Sequence, residues 1–199
     1  LFAPDGSVRD VGEPALSEPT IEVGIWKSSS PARVAEAAIN DWLSRQIGIA
    51  VRLVHMADDC LRSVSRDWSK SGDIVSFADG FPLLLIGSAS LDHLNTKLAN
   101  PVSMANFRPN LVARTDTPHV EDRWKRIAIG DVEFDVVKPC TRCVLTTIDP
   151  DSATPAANGE PLATLKTYRR EALGVTFGQN LIPRTFGRID AGAPLRVLE

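Results

Sequence analysis

Residues 125–137 read KRIAIGDVEFDVV, and this stretch predicts the centre of the fold. Apolar and polar side chains alternate on both sides of Gly130-Asp131, a dipeptide typical of two-residue hairpin turns. We therefore expect an antiparallel β-hairpin with strands at residues 125–129 and 132–137. Many other short strand patterns accompany it, together with two or three helices. The sequence thus predicts an α+β domain around a barrel-like sheet.

The remaining elements follow from the same kinds of pattern. Further strands are expected at residues 21–26, 51–55, 75–78, 83–86, 111–113, 144–148 and 195–198. Helices are expected from Ser30-Pro31 to Gly48, from a cap at Ser90, and over residues 162–170. Residues 57–74 lack periodicity and are expected to form a loop or a lid.

Length and composition bound the function. A chain of 199 residues fits one domain, or one domain and part of a second, and 43% hydrophobic residues suffice for a core. A net charge of −3 argues against a general nucleic-acid binder. The longest apolar run, residues 81–87, is far shorter than the ~20 residues that a membrane span needs. No signal-peptide pattern is visible, and because the chain begins at Leu1 we expect a processed or excised piece.

The cysteines indicate the compartment. Cys60, Cys140 and Cys143 are three in number, and an odd, low count does not make a disulfide scaffold. We expect a reducing compartment such as the cytoplasm.

Two of these cysteines form a C-x-x-C pair in the stretch KPCTRC, residues 138–143. Three interpretations stay open from the residues alone: a zinc site, a redox dithiol, or a pair of inert thiols. Zinc lacks a second pair of ligands at suitable spacing, and a β-branched stretch rather than a helix follows the pair. Lys138 and Arg142 flank the thiols and favour the thiolate form, and Arg142 could also clamp a phosphate.

Other loops carry donors that could meet a ligand, although each could equally be an ordinary turn. In NFRPN, residues 106–110, Arg108 and Asn110 offer a guanidinium and an amide. In FADGFP, residues 77–82, Gly80 allows close backbone approach and Asp79 can accept hydrogen bonds.

A glycine-containing stretch and the three histidines can be explained without a ligand. In FGQN, residues 177–180, Gly178 permits close approach, and a plain loop is the alternative. The three histidines, His55, His93 and His119, show no ligand spacing and are expected in the core or on the surface.

Taken in order, these segments resemble the MOSC family, which is named after the C-terminal domain of molybdenum cofactor sulfurase. The resemblance is strongest to the branch that contains the mitochondrial amidoxime-reducing component and its bacterial relatives. It is carried by residues 77–95, 106–112, 129–151, 160–170 and 177–180, with KPCxRCxxTTxDPD and EPLxTLKxYR as the most specific motifs. It implies a β-barrel-centred MOSC fold with a few peripheral helices. Residues 1–56 would be the tail of the MOSC N-terminal β-rich region and 57–199 the MOSC domain.

The resemblance also implies a molybdenum cofactor (Mo-molybdopterin) and its site. Cys143, the second cysteine of C-x-R-C, would ligate molybdenum and carry the catalysis, and a soft thiolate suits that metal. Cys140 would lie near the metal without binding it. The cofactor-binding residues implied are Asp79, Gly80, Arg108, Asn110, Thr141 and Arg142.

The activity implied is that of an oxidoreductase that converts small N-hydroxylated compounds to amines or amidines. Electrons would come from a separate ferredoxin-, flavin- or cytochrome-type protein. One alternative is a non-catalytic carrier of the cofactor, or of sulfur as a persulfide on Cys143, with a pyridoxal-phosphate-dependent desulfurase as partner. Another is a dithiol protein that uses Cys140 and Cys143 equally.

Overall fold

A computed structural model describes residues 1–26, 28–56 and 61–199. The chain forms two compact units, one of residues 1–63 and 74–79 and the other of residues 64–73 and 80–199. Cys60 and the first part of the expected loop at 57–74 lie outside the described residues. The predicted division at residues 56 and 57 stays a prediction. Within the described part of the chain, no helix combines the length and the apolar character needed to cross a bilayer.

The first unit holds a three-stranded antiparallel sheet in the order β1-β2-β3. Its strands and helix are β1 (Thr20–Ile25), β2 (Ser28–Val34), α1 (Ala37–Ile47) and β3 (Val54–Met56). Gly48 ends α1 as predicted, with φ +80° and its N–H donated to the Ser44 carbonyl at 2.9 Å.

The prediction of a helix start at Ser30-Pro31 is wrong, because both residues belong to β2. There β2 pairs with β1, and Pro31 lies opposite Glu22. The proline is tolerated since β3 pairs only with residues 32–34, beyond the position that lacks an N–H.

The second unit is built on a seven-stranded sheet. Its strands are β4 (Leu83–Gly87), β5 (Leu111–Ala113), β6 (Arg126–Ile129), β7 (Val132–Thr141), β8 (Arg170–Glu171), β9 (Gly174–Pro183) and β10 (Leu195–Val197). They lie in the order β10-β6-β7-β9-β4-β5, with β8 paired to β9, and only β4 and β5 are parallel. The sheet curls into a nearly closed barrel, accompanied by α2 (Ser88–Asn95) and α3 (Leu162–Tyr168). The α+β, barrel-centred fold is confirmed.

Successive residues of β4 point into two different apolar clusters. Leu85 packs with Phe134 and Leu181, whereas Ile86 packs with Phe107 and Phe177, and all six are essentially inaccessible to solvent. This follows from the alternation of side chains along a strand. The second cluster also includes α2 and α3 residues, so it holds the helices against the sheet.

Strand β9 includes the FGQN stretch, for which a loop was the expected alternative to a ligand contact. Gly178 does permit close approach, but its neighbour is β4. It has φ +83°, and a Cβ there would lie 2.6 Å from Ile86 Cγ1 and 2.8 Å from the Leu85 carbonyl oxygen. The glycine therefore allows β9 to lie against β4.

Three smaller predictions are also wrong. Residues 144–148 do not form a strand: Val144–Thr147 is a 3₁₀ helix, in which the Thr147 hydroxyl donates to the Val144 carbonyl at 2.7 Å. Such local bonds compete with strand pairing. Ser90 lies inside α2 rather than at its cap, and residues 75–78 contain no strand.

Residues 64–73 are fastened to the barrel by an ion network. Arg184, the residue after β9, donates to Asp73 from Nη1 at 2.5 Å and to Asp135 on β7 from Nε at 2.7 Å, and Lys70 also bonds Asp135 at 2.7 Å. The hydrogen bond from Arg184 lowers the pKa of Asp73. Burial raises the pKa of Asp135, but the bonds from Lys70 and Arg184 outweigh it and lower the pKa overall.

Gly178→Ala and Gly192→Ala form a matched pair of variants. Both glycines have positive φ (+83° and +85°), but a Cβ at Gly192 meets nothing within 4 Å. Gly192→Ala should lower the free energy of unfolding by about 1–2 kcal/mol. Gly178→Ala should cost about 1–3 kcal/mol more, because the collision with β4 adds overpacking. Urea unfolding measures both, and equal losses would contradict the close approach.

Asp73→Asn should destabilise the protein at pH 7 by about 1–3 kcal/mol, because Arg184 loses a charged acceptor. The folded-state pKa of Asp73 is lowered, so its contribution exists above the unfolded pKa and disappears as the pH falls through the folded value. The difference from wild type should therefore shrink below about pH 4.

The control is Asp190→Asn, because Asp190 pairs with Arg188 at a site where both side chains are largely exposed. Its effect should stay below about 0.5 kcal/mol at pH 7. A difference for Asp73→Asn that is as large at pH 3 as at pH 7 would rule out the linkage.

Candidate functional site

The C-T-R-C segment lies where β7 ends. Cys140 is half-buried near the end of the strand, and Cys143 is exposed just beyond it. The Cys143 carbonyl accepts bonds from the backbone N–H and the hydroxyl of Thr146, at 3.2 and 3.0 Å. The Cys143 thiol is thus presented at the start of a hydrogen-bonded 3₁₀ turn. Within the described part of the chain, no group bonds its Sγ.

The N-F-R-P-N segment forms a second fixed loop. Ser103 and Asn106 make a reciprocal capping box at the start of the 3₁₀ helix Met104–Phe107. Phe107 is fully buried, with its ring centroid 4.5 Å from that of Phe177. Arg108 follows in the left-handed region, at φ +52° and ψ +48°, and its side chain is exposed.

These two loops contact each other. Arg142 Nη2 donates to the Phe107 carbonyl at 2.7 Å, and Asn106 Nδ2 donates more weakly to the Thr146 carbonyl at 3.4 Å. Three of the implied site residues, Arg108, Arg142 and Cys143, therefore lie on adjoining loops of one unit, and Thr141 is the last residue of β7 beside them.

Asn110 lies at the end of the second loop and is partly used by the fold. Its backbone N–H donates to the Leu84 carbonyl, and its Oδ1 accepts the Leu84 N–H, both at 2.9 Å. This clips the loop to β4 and leaves the Asn110 Nδ2 donor without a partner among the described residues. The same is true of the Arg108 guanidinium.

Asp79 and Gly80 fall in different compact units. Asp79 belongs to the first unit and is exposed, and its carbonyl accepts a bond from Arg62 Nη2 at 2.8 Å. Arg62 also donates to the carbonyls of Ser76 and Ala78, so it fixes the turn at 76–79. No spacing rule in the sequence could have indicated this role for Arg62.

Gly80 belongs to the second unit and precedes Phe81, whose ring lies beneath Lys138. The Lys138 ammonium is 5.8 Å from the Phe81 ring centroid and 5.4 Å from that of Trp68. Two aromatic faces therefore hold a positive charge close to the C-T-R-C segment.

Two of the histidines meet in space, which sequence spacing did not indicate. His93 on α2 and His119 face each other with Nδ1 and Nε2 3.1 Å apart, and both rings pack against Tyr168. Burial is the main cause that lowers the pKa of His119 to about 4, with Arg169 adding to the effect. Burial also raises the pKa of Tyr168.

Arg169, from the basic end of the predicted helix, is a structural residue. It donates to Asp122 at 2.7 Å and to the Thr176 carbonyl at 3.2 Å, and Asp122 also accepts Gln179 Nε2 at 2.7 Å. The sequence does not reveal this network, because its members are far apart in the chain.

The donor set fits a metal cofactor that carries an anionic group. A soft, exposed thiol suits molybdenum, and a guanidinium and an amide N–H that the protein does not use suit a phosphate. Among the residues that the structure describes, no three His, Cys, Asp or Glu side chains cluster as metal ligands. Cys143 is the one thiol of the described pair that is both exposed and free of side-chain bonds.

Residues 72–196 match the family model of the MOSC domain. The chain belongs to the MOSC family. The match covers most of the second unit, including both loops and all of the implied site residues. The resemblance inferred from the motifs is therefore confirmed.

Named relatives agree with this assignment. Mitochondrial amidoxime-reducing component 1 of Mus musculus is 37% identical over 169 residues, covering 79% of this chain and 49% of the relative. The Homo sapiens protein of the same name is 39% identical over 140 residues, covering 66% and 41%. Molybdenum cofactor sulfurase of Oryza sativa subsp. japonica is 30% identical over 179 residues, covering 82% and 22%. The chain spans about half, or less, of the length of these relatives.

The family and these relatives point to an association with the molybdenum cofactor and to a function related to it. The donor set on the two loops agrees with that association.

His119→Gln should change how stability depends on pH. The unfolded-state pKa of a histidine is about 6.5, and the folded-state pKa of His119 is about 4, so folding disfavours its protonation. Wild-type stability should therefore fall as the pH is lowered between these values. The variant should lose part of that slope in denaturant unfolding measured from pH 7 to pH 4.

His55→Gln, on β3 of the other unit, is the control and should keep the wild-type slope. If His119→Gln kept the wild-type slope as well, the buried histidine would not be its source.

Proposed function

We propose that this chain binds the molybdenum cofactor through Cys143 and, supplied with electrons, reduces small N-hydroxylated compounds to amines or amidines. The observation that supports this most is the Cys143 thiol, exposed and free of side-chain bonds on a hydrogen-bonded turn. It adjoins the loop that carries Arg108. Bound there, the cofactor would supply two-electron redox chemistry, and the protein would supply ligation, orientation and electrostatics.

Each residue has a distinct role in this proposal. Cys143 provides the thiolate ligand, and the turn of Thr146 fixes its direction. Arg108 and the free Nδ2 of Asn110 bind the anionic phosphate by charge-assisted hydrogen bonds. Thr141, exposed beside them, offers a hydroxyl. Asp79 and Gly80 stay predictions from the family resemblance.

The proposed reaction needs a separate source of electrons. Cleavage of the N–O bond consumes two electrons and two protons, and releases water and the N–H product. We propose a ferredoxin-, flavin- or cytochrome-type protein as the donor. The substrate is the N-hydroxylated compound, whose hydroxyl oxygen leaves as water.

A carrier function is the second candidate, and the similarity to molybdenum cofactor sulfurase favours it. In that case Cys143 would hold the cofactor, or a persulfide received from a pyridoxal-phosphate-dependent desulfurase. The two candidates differ in stoichiometry. A carrier transfers once per Cys143 thiol, whereas a reductase with excess reductant turns over many times.

We further propose that residues 1–56 are the tail of a β-rich N-terminal region and 57–199 the MOSC domain. A reducing compartment such as the cytoplasm fits the free thiols of Cys140 and Cys143.

Cys143→Ser should abolish molybdenum retention, because a serine hydroxyl is a poor ligand for a soft metal. The protein would be produced in a host that makes the cofactor. Molybdenum would be measured by elemental analysis and pterin by fluorescence after oxidation. We expect near-stoichiometric metal in the wild type and at least roughly a tenfold loss in the variant.

Cys140→Ser is the matched control. It removes the other thiol but keeps an oxygen that can accept a hydrogen bond, so it should retain the metal. Equal loss in both variants would favour the dithiol interpretation. Full metal retention in Cys143→Ser would contradict the assignment of the ligand.

A further inference from the structure

We propose that Arg142 is a positioning residue that locks the Arg108 loop, and that it does not bind the cofactor phosphate. The role of the Arg108 loop in cofactor binding rests on the proposed function, but the contacts that Arg142 makes do not depend on it. Arg142 Nη2 donates to the Phe107 carbonyl at 2.7 Å, and Nη1 donates to Cys140 Sγ at 2.9 Å. The guanidinium carbon lies 5.5 Å from the Phe107 ring centroid.

The Arg142 side chain lies between fixed groups. Its backbone N–H donates to the Val175 carbonyl on β9 at 2.7 Å. Phe107, which the guanidinium contacts, is fully buried and packs against Phe177 on the same strand. The main chain of Arg142 is therefore anchored on β9, and its head group contacts a residue that β9 supports through Phe177.

This arrangement leaves Arg142 poorly suited to clamp an anion. A bidentate grip on phosphate requires two parallel N–H groups that face the same way. Here Nη1 and Nη2 serve different protein acceptors. Nε is fully buried and has no acceptor among the described residues.

The Phe107 carbonyl belongs to the peptide group that leads into Arg108. The other end of that peptide, the Arg108 N–H, donates to the Ala105 carbonyl at 3.2 Å. Arg108 itself has φ +52°, a conformation that costs a non-glycine residue about 1–2 kcal/mol. By holding the Phe107–Arg108 peptide, Arg142 fixes the conformation that directs the Arg108 side chain outward.

The two cysteines of the motif thus have different surroundings. Cys140 Sγ accepts a hydrogen bond from the Arg142 guanidinium and so helps to hold the Arg108 loop. Cys143 lies beyond it, exposed. In C-T-R-C, Cys140 and Arg142 would thus position the loop, and the outer thiol of Cys143 would bind the metal.

Hydrogen exchange of the metal-free protein tests directly whether Arg142 holds the Arg108 loop. Arg142→Lys keeps the charge, but one ammonium cannot reproduce the planar fork that reaches two acceptors and stacks on Phe107. The backbone amides of residues 104–108 and of Asn110 should exchange roughly tenfold faster in this variant. Arg108→Lys is the matched control and should leave that exchange unchanged.

Molybdenum content provides the second readout. Both variants should retain less metal, but only Arg142→Lys should also loosen the loop before any cofactor binds. If Arg142→Lys retained less metal with unchanged exchange, Arg142 would be an anion-binding residue and the proposal would be wrong. If the wild type bound no molybdenum, the proposed function would be wrong. The exchange result would still show whether Arg142 holds the Arg108 loop.

Cys140→Ala is the variant to measure if Arg142→Lys does not fold. It removes the acceptor of Nη1 while the Phe107 bond remains. Exchange of the amides of residues 104–108 and of Asn110 should then rise, by less than in Arg142→Lys, and an unchanged rate would overturn the inference.

Discussion

The pairing of β7 with β9 is the constraint on which the second unit depends. Both strands have ten residues, and they run antiparallel from Phe134 opposite Pro183 to Thr141 opposite Thr176. This pairing sets where β7 ends, and so where the C-T-R-C segment leaves the barrel. The other side of β9 supports β4, through the space left by Gly178. The β9 residue Phe177 also supports Phe107 beneath the second loop. One strand thereby places both halves of the candidate site.

Local patterns predicted those parts of the fold that local physics decides. The hairpin at 125–137 follows from alternation around Gly130-Asp131, and the helix end at Gly48 from its left-handed conformation. Long-range pairing overrode the local signal elsewhere. Ser30-Pro31 has the composition of a helix start, yet β1 required an antiparallel neighbour. Residues 174–183, with Gly178 and polar side chains inside, carry no strand pattern, although they form the central strand.

The candidate site was predictable as a set of motifs but not as a set of contacts. The motifs named Arg108, Arg142 and Cys143, and the structure places them on adjoining loops. They did not show that Arg142 turns inward while Arg108 stays free, because both are arginines in polar, turn-rich sequence. Nor did they show the meeting of His93 with His119, since α2 and the residues before β6 come together only in the folded sheet.

The left-handed conformation of Arg108 limits how this loop can evolve. Glycine would adopt that backbone more easily and asparagine tolerates it, so either would relieve local strain. Neither would leave a cation on the loop. Stability and the proposed anion binding therefore place opposite demands on this one position, because a residue that relieves the strain removes the cation. The proposed role in anion binding would explain why a strained backbone carries an arginine here, a feature that composition alone does not show.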